Sequence, residues 1–434
     1  MKSKALEPWR KTLYIIWASQ FIAMMGMSLV VPFLPFYIRT LGVTTPEDVA
    51  SWSGLVFAGP FFISFFLTPL WGYLGDRHGR KLMVVRAVFG LAISQALIGL
   101  SQSVEMLFLF RMLQGAISGF IASALALVAA NTPSEHTGYA LGLLQTASAS
   151  GNVIGPLLGG SLADAFGFRP IFFIVAGVCT VAGILVVRFI HEPPREPRSE
   201  GQRHTLLSSV RYAFESKPIR IALAVIFFSQ VAILLIQPIF ALYVEYLEPN
   251  KAYLATIAGA IFSMTGIFLV ISSPWWGKRN DRTSYKRNLT IAISGAAIAC
   301  AAQGFTSQAY QLLFLRAAQG FCMGGILPSL YSYISKHSLL SRRGAIMGIA
   351  SSFYVLANMV GPTVGGYIAA HIGLRESFYI SGVLLAFSLV FLNRSFVDLK
   401  AGQVPVPEAQ EHQRSRTATV EDLLQQGGRD RLKH

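Results

Sequence analysis

Apolar residues fill this chain in long runs, interrupted at short intervals by clusters of glycine, proline and charge. Twelve runs reach about 20 residues, enough for a helix to cross a hydrocarbon core about 30 Å thick. They fall near 13–37, 51–74, 82–101, 105–130, 138–163, 170–190, 219–244, 253–276, 288–306, 309–334, 344–369 and 377–395. The pattern predicts an all-α integral membrane protein whose twelve transmembrane helices form two six-helix bundles, residues 1–190 and 219–396. Between them, 191–218 is polar and carries Pro193 and Pro194, a linker by composition. Leu206, Leu207, Val210 and Phe214 recur there at helical spacing, which fits either a membrane-surface helix or an ordinary linker helix. Residues 397–434 lose the apolar period and are expected to be a disordered tail, with one short helix at Thr419–Leu424.

The two bundles are copies of one unit. Gly155-Pro156-Leu157-Leu158-Gly159-Gly160 returns as Gly361-Pro362-Thr363-Val364-Gly365-Gly366, an offset of 206. Pro32 and Tyr37 map in the same way to Pro238 and Tyr243, and one residue of slippage relates Asp76 to Asp281 and Arg111 to Arg316. Duplication of an apolar half is how secondary transporters build a midplane site between pseudosymmetric repeats.

Composition agrees with a bilayer: 53% of residues are hydrophobic and 13% charged, too apolar for one water-soluble core. The net charge of +15 would suggest nucleic acid in a soluble protein, but its placement points to topology. With the N-terminus inside, all but six of the 36 basic residues fall on the cytoplasmic side. Arg111 and Arg316 lie within spans, and Arg39, Arg169, Lys251 and Arg375 face outward. Both termini and the linker are therefore expected in the cytoplasm, and no nucleic-acid partner is expected. Cys179, Cys300 and Cys322 sit singly in apolar runs, without disulfide or metal spacing. The run from Tyr14 to Tyr37 is too long for a signal peptide and lacks a small-residue cleavage site, so it stays as the first span.

Three motifs carry chemistry. After the second span comes Gly72-Tyr73-Leu74-Gly75-Asp76-Arg77-His78-Gly79-Arg80-Lys81. Cations suit the negative end of a helix, whereas Asp76 needs a positive partner. The start of the eleventh span, near Arg343-Gly344, can supply one across the pseudosymmetric halves. The second copy, Trp276-Gly277-Lys278-Arg279-Asn280-Asp281-Arg282, would set Asp281 against Thr137-Gly138; it has Ser284 and Tyr285 in place of Gly79 and Arg80. Next, Arg111-Met112-Leu113-Gln114-Gly115 puts a charge inside a span, which costs roughly 2.5–3.5 kcal/mol unless it faces protein or water. Arg111 either serves transport or simply holds carbonyls of a neighbouring helix. Last, Gly151-Asn152-Val153-Ile154-Gly155-Pro156-Leu157-Leu158-Gly159-Gly160 spaces small residues for close helix contact around a proline that removes a backbone donor.

Together, in this order, the motifs resemble those of the major facilitator superfamily, over nearly the whole chain to about Ser395. The likeness is to its twelve-span drug:proton antiporters of bacterial inner membranes. It implies the superfamily's fold, a cytoplasmic latch at Asp76 and Asp281, proton transfer tied to Arg111, and an antiporter motif at Gly151, Gly155, Pro156, Gly159 and Gly160. It further implies a monomer that uses the proton gradient and no cofactor, with a small molecule and the lipid bilayer as its partners.

No carboxylate falls in the middle of a predicted span. Glu105, Asp164 and Glu245, near the outer mouth, are candidate titrating groups or simply solvated loop carboxylates. With Arg111 and Arg316 unopposed, neutral or anionic amphipathic cargo is expected over permanent cations. Gln20, Met24, Gln114, Asn152, Gln230, Gln237, Gln319, Tyr354 and Asn358 are candidate cavity residues. No nucleotide-binding loop, nucleophile set or metal spacing appears, so neither an enzyme nor an ATP-driven pump is expected. The first expectation is drug export by proton antiport. Export of an anionic metabolite such as a siderophore is the alternative within transport, and a non-transporting membrane sensor is the alternative outside it.

Overall fold

The computed structural model describes residues 7–117, 119–190, 192, 206–249 and 251–395, without the side chains at positions 69, 72, 76, 206, 207, 340, 394 and 395. The tail at 397–434, with the helix expected at 419–424, and linker residues 191 and 193–205 lie outside the described residues. Every regular element described is helical. In the first half, α1 (Pro8–Ser28) and α2 (Leu34–Thr40) make one broken span, followed by α3 (Pro46–His78) and α4 (Arg80–Gly99). Then come α5 (Val104–Ile117) with α6 (Phe120–Asn131), α7 (Thr137–Phe166) and α8 (Phe168–Phe189). A linker helix, α9 (Leu206–Glu215), leads to the second half. There α10 (Lys217–Leu235) and α11 (Phe240–Leu247) share a span, followed by α12 (Leu254–Arg282) and α13 (Tyr285–Gln303). The last spans are α14 (Ala309–Met323) with α15 (Leu327–His337), α16 (Arg343–His371) and α17 (Leu374–Ser395).

Local sequence sets where these helices stop. Thr45 caps α3, its hydroxyl accepting the Asp48 amide at 3.2 Å, with Pro46 at the first helical position. Gly119, at φ +109°, separates α5 from α6, a left-handed turn that glycine adopts without the Cβ penalty. Among the described residues nine helical stretches are long and apolar enough to cross a membrane. The α1–α2 span, α7 and α13 complete two sets of six. Glycine, serine and amides dilute their apolar character, as suits helices that pack against helices.

The duplication is visible in the packing. In the first half α1 lies on α7, α3 on α5 and α4 on α8; in the second, α10 lies on α16, α12 on α14 and α13 on α17. Single bonds repeat too. Trp71 Nε1 donates to the Ala116 carbonyl and Trp276 Nε1 to that of Phe321, both at 2.8 Å. Tyr37 and Tyr243 donate to the carbonyls of Ile98 and Gln303 at 2.9 and 2.8 Å. Each half has its own buried apolar core, and the halves meet where α3 crosses α16 and α7 crosses α12.

Candidate functional site

Both crossings are built from the repeated Gly-Pro-x-x-Gly-Gly. On α7, Gly151, Gly155 and Gly159 face α1: a Cβ at Gly151 would stand 2.8 Å from the Phe21 carbonyl oxygen, and Ser28 Oγ donates to the Gly151 carbonyl at 3.0 Å. Gly160 and the Pro156 carbonyl face the opposite half, against Ala255 and Gly259 of α12. The second copy repeats this, with Gly361 and Gly365 on α10 and with Gly366 and the Pro362 carbonyl against Ala50 and Gly54 of α3. Each motif therefore holds its own half together on one face and seals it to the other half on the next. Gly151 is replaced by Ala357, whose methyl packs with Val231 and Leu234.

The seal occupies one end of the molecule, opposite the linker. Arg39 Nη1 donates to Glu245 Oε1 at 2.6 Å between the halves. These two are repeat mates at the offset of 206, so the pair lies close to the pseudo-two-fold axis. Asp164 Oδ2 accepts from the Thr256 amide at 2.7 Å and its hydroxyl at 2.6 Å, so a carboxylate of the first half caps the exposed donors at the start of α12 in the second. Ser263 Oγ donates to the Val153 carbonyl at 2.8 Å, and the crossing extends to Gly266. A cavity of about 530 Å³ lies at the same end, lined by Arg39, Glu47, Glu245 and Tyr246 among others. Asp164 and Glu245 are thus fixed between the halves, and Glu105 is the exposed one of the three candidate titrating carboxylates. Sequence reasoning missed Arg39 and Thr256; the repeat offset linking Arg39 to Glu245 was the available signal.

At the linker end the halves stand apart. A Cβ at Gly138 or Gly142 of α7, or at Gly344 or Gly348 of α16, would meet nothing within 4 Å. Asp281, expected against Thr137-Gly138, is instead 73% exposed and 4.0 Å from Lys336 of its own half. Arg77 and Arg282 are exposed, and the side chain of Asp76 is outside the described residues. The loop is nonetheless anchored. Gly79, at φ +112°, turns the chain between α3 and α4, and Glu192 accepts the Arg80 amide at 2.7 Å and the Lys81 amide at 3.3 Å. Arg80 Nη1 reaches the Ala126 carbonyl and Lys81 Nζ that of Val187. In the second copy neutral groups do this work: Ser284 caps α13, and Asn288 bonds Asn280, Thr283 and Arg279.

The sequence profile of the Major Facilitator Superfamily matches residues 16–302 and 252–427. The chain belongs to this superfamily. It is 34% identical over 403 residues to the multidrug resistance protein MdtG of Enterobacter lignolyticus, covering 93% of this chain and 96% of that one. The MdtG of Proteus mirabilis is 34% identical over 393 residues, 89% and 96% of the two chains. Among solved structures, an inward-facing, unoccupied bacterial homologue of the human lysosomal transporter Spinster superposes with a TM-score of 0.73 at 16% identity, over 89% of this chain and 97% of that one. The nucleoside transporter NupG gives 0.71 at 14%, over 88% and 100%. These last two share the fold.

Within this transporter the two intramembrane arginines differ. Arg111, 6% exposed, donates from Nη1 to Gln114 Oε1 at 2.7 Å and from Nε to the Val56 carbonyl at 3.3 Å. Arg316, 4% exposed, places its guanidinium carbon 3.8 Å from the ring centre of Phe240 and 5.6 Å from that of Phe262. Its Nε and Nη2 have no hydrogen-bond partner. Gln319, the mate of Gln114, accepts instead from Gln303 Nε2 at 2.9 Å. Gln20 ties α1 to α7 through the Leu144 carbonyl and Ser148, so Gln20, Gln114 and Gln319 bond within their own halves. Met24 and Gln230 are buried, and Asn358 donates to the Tyr354 carbonyl at 2.9 Å. Asn152 is exposed, and Gln237 and Tyr354 are half-buried.

Proposed function

We propose that this transporter exports small amphipathic compounds, drugs among them, across the bacterial inner membrane by alternating access in exchange for protons. The observation that carries it is the double seating of Gly155–Gly160, on α1 within its half and on α12 across to the other. A motif placed there couples packing inside one bundle to closure between bundles, which is what rocking about a central site requires. The full-length likeness to multidrug resistance proteins supports drugs as the cargo class. The Lys and Arg distribution supports cytoplasmic termini. With that orientation the conformation is sealed outside and open to the cytoplasm, ready to load. One chain supplies both halves of the pathway, which supports a monomer as the working unit. The likeness of the fourth-span motif supports proton exchange as the energy source.

Everted membrane vesicles test this directly. Under an imposed pH gradient they should accumulate members of a chemically mixed drug panel, and a collapsed gradient should stop uptake. Uptake of none of the panel would overturn the reading.

A further inference from the structure

We propose that Arg316 is the oxyanion-binding group of the cargo site, through which the second half selects amphipathic organic carboxylates over their neutral analogues. This rests on the reading of the chain as a carrier of small amphipathic molecules. Nε and Nη2 share one edge of a guanidinium, the edge that holds a carboxylate by two parallel N–H···O bonds. In Arg316 both are buried without an acceptor, and among the described residues no ion pair involves it. A buried donor without a partner is costly. The fold is able to satisfy an arginine at this position, because Arg111 finds a side-chain and a backbone acceptor at the equivalent place. In the second half the corresponding glutamine is committed to Gln303.

The surroundings suit an amphipathic anion. Phe240 and Phe262 stabilise the guanidinium through their faces, which leaves its N–H edges uncommitted. Phe262, which is half-buried, offers apolar surface to the body of a ligand. Phe240 directly follows Gln237–Ile239, a turn packed against both α16 and α3, so the arginine adjoins the seam between halves. One turn along α12 from Phe262, the buried Thr265 Oγ1 also lacks a partner.

The test uses full-length protein in phosphatidylcholine nanodiscs, with 2-naphthoate and 2-naphthamide as probes in calorimetric titration. Wild type should bind the carboxylate about tenfold tighter than the amide, a modest return for one charge-assisted fork. Arg316→Gln should bring naphthoate down to the naphthamide level and leave naphthamide within about twofold. Equal binding of both probes by wild type overturns the proposal without any variant, which covers the case of a misfolded R316Q. An undiminished preference in a folded R316Q overturns it as well. Repeating the titration in phosphatidylglycerol discs separates cargo from lipid: naphthoate binding should persist, and its loss would assign the arginine to an anionic headgroup. Export of the probes in everted vesicles is scored separately, so that preferential binding without export counts against the export reading alone.

Discussion

The two halves share helix order, packing partners and even single tryptophan and tyrosine bonds, yet they treat the same intramembrane arginine differently. In the first half Arg111 is tied to Val56 and Gln114; in the second Arg316 rests on aromatic faces with one N–H edge unsatisfied. Duplication therefore copied a position without copying its chemistry. The symmetric part, at the glycine motifs, packs each half on itself and against the other in the same way. The asymmetric part lies inside the bundles, where Arg111 is hydrogen-bonded within its own half and Arg316 keeps one N–H edge without an acceptor.

The strongest way to break this division is to overpack the gate. Gly160→Leu would drive a side chain into the Ala255 carbonyl, and Gly366→Leu would do the same at Ala50. Overpacking by about 1–3 kcal/mol should cut export by on the order of tenfold or more in both variants alike. Vesicle uptake measures it, and a loss confined to Gly160→Leu would show that the gate is not symmetric.

Next in size is the contrast between the arginines in thermal unfolding. Arg111→Gln removes two charge-assisted bonds and should cost about 2–3 kcal/mol, a clear drop in melting temperature. Arg316→Gln removes a buried charge without hydrogen bonds and should leave stability near wild type or raise it. The reverse order would sink the assignment of roles.

Smaller effects are expected at the seam itself. Asp164→Ala uncaps α12 and should weaken the far-end closure by about 1 kcal/mol. A cysteine at position 138, where space is open in this conformation, would then be labelled more slowly. Arg39→Ala should matter least. The Arg39–Glu245 pair is partly exposed, worth about 1 kcal/mol or less, and exchanging the two charges should restore wild-type behaviour.

Much of this was legible in the sequence because bilayer constraints are severe: apolar length gives spans, and a repeat at 206 gives two bundles. The glycine motif and Arg111 could be singled out for the same reason, since small residues and charges in a span need a local cause. The cavity set was harder to read. Gln20, Gln114 and Gln319 have the composition of a binding site, but each has one amide atom hydrogen-bonded within its own half. Nor could an exposed-looking carboxylate such as Asp164 be recognised as a cap, because its partner Thr256 lies in the other bundle.

By itself, then, the sequence determined the helices, their pairing into halves and the residues too costly to be accidental. Only the tertiary structure decided which end of the molecule is sealed, that Asp281 stands away from its expected partner, and which arginine is satisfied. The reason is physical: span formation depends on hydropathy summed along one helix, whereas a gate or a ligand contact depends on distances between helices far apart in the chain. Arg111 and Arg316 share an Arg-x-x-Gln-Gly frame, and glutamines turned toward different neighbours separate them.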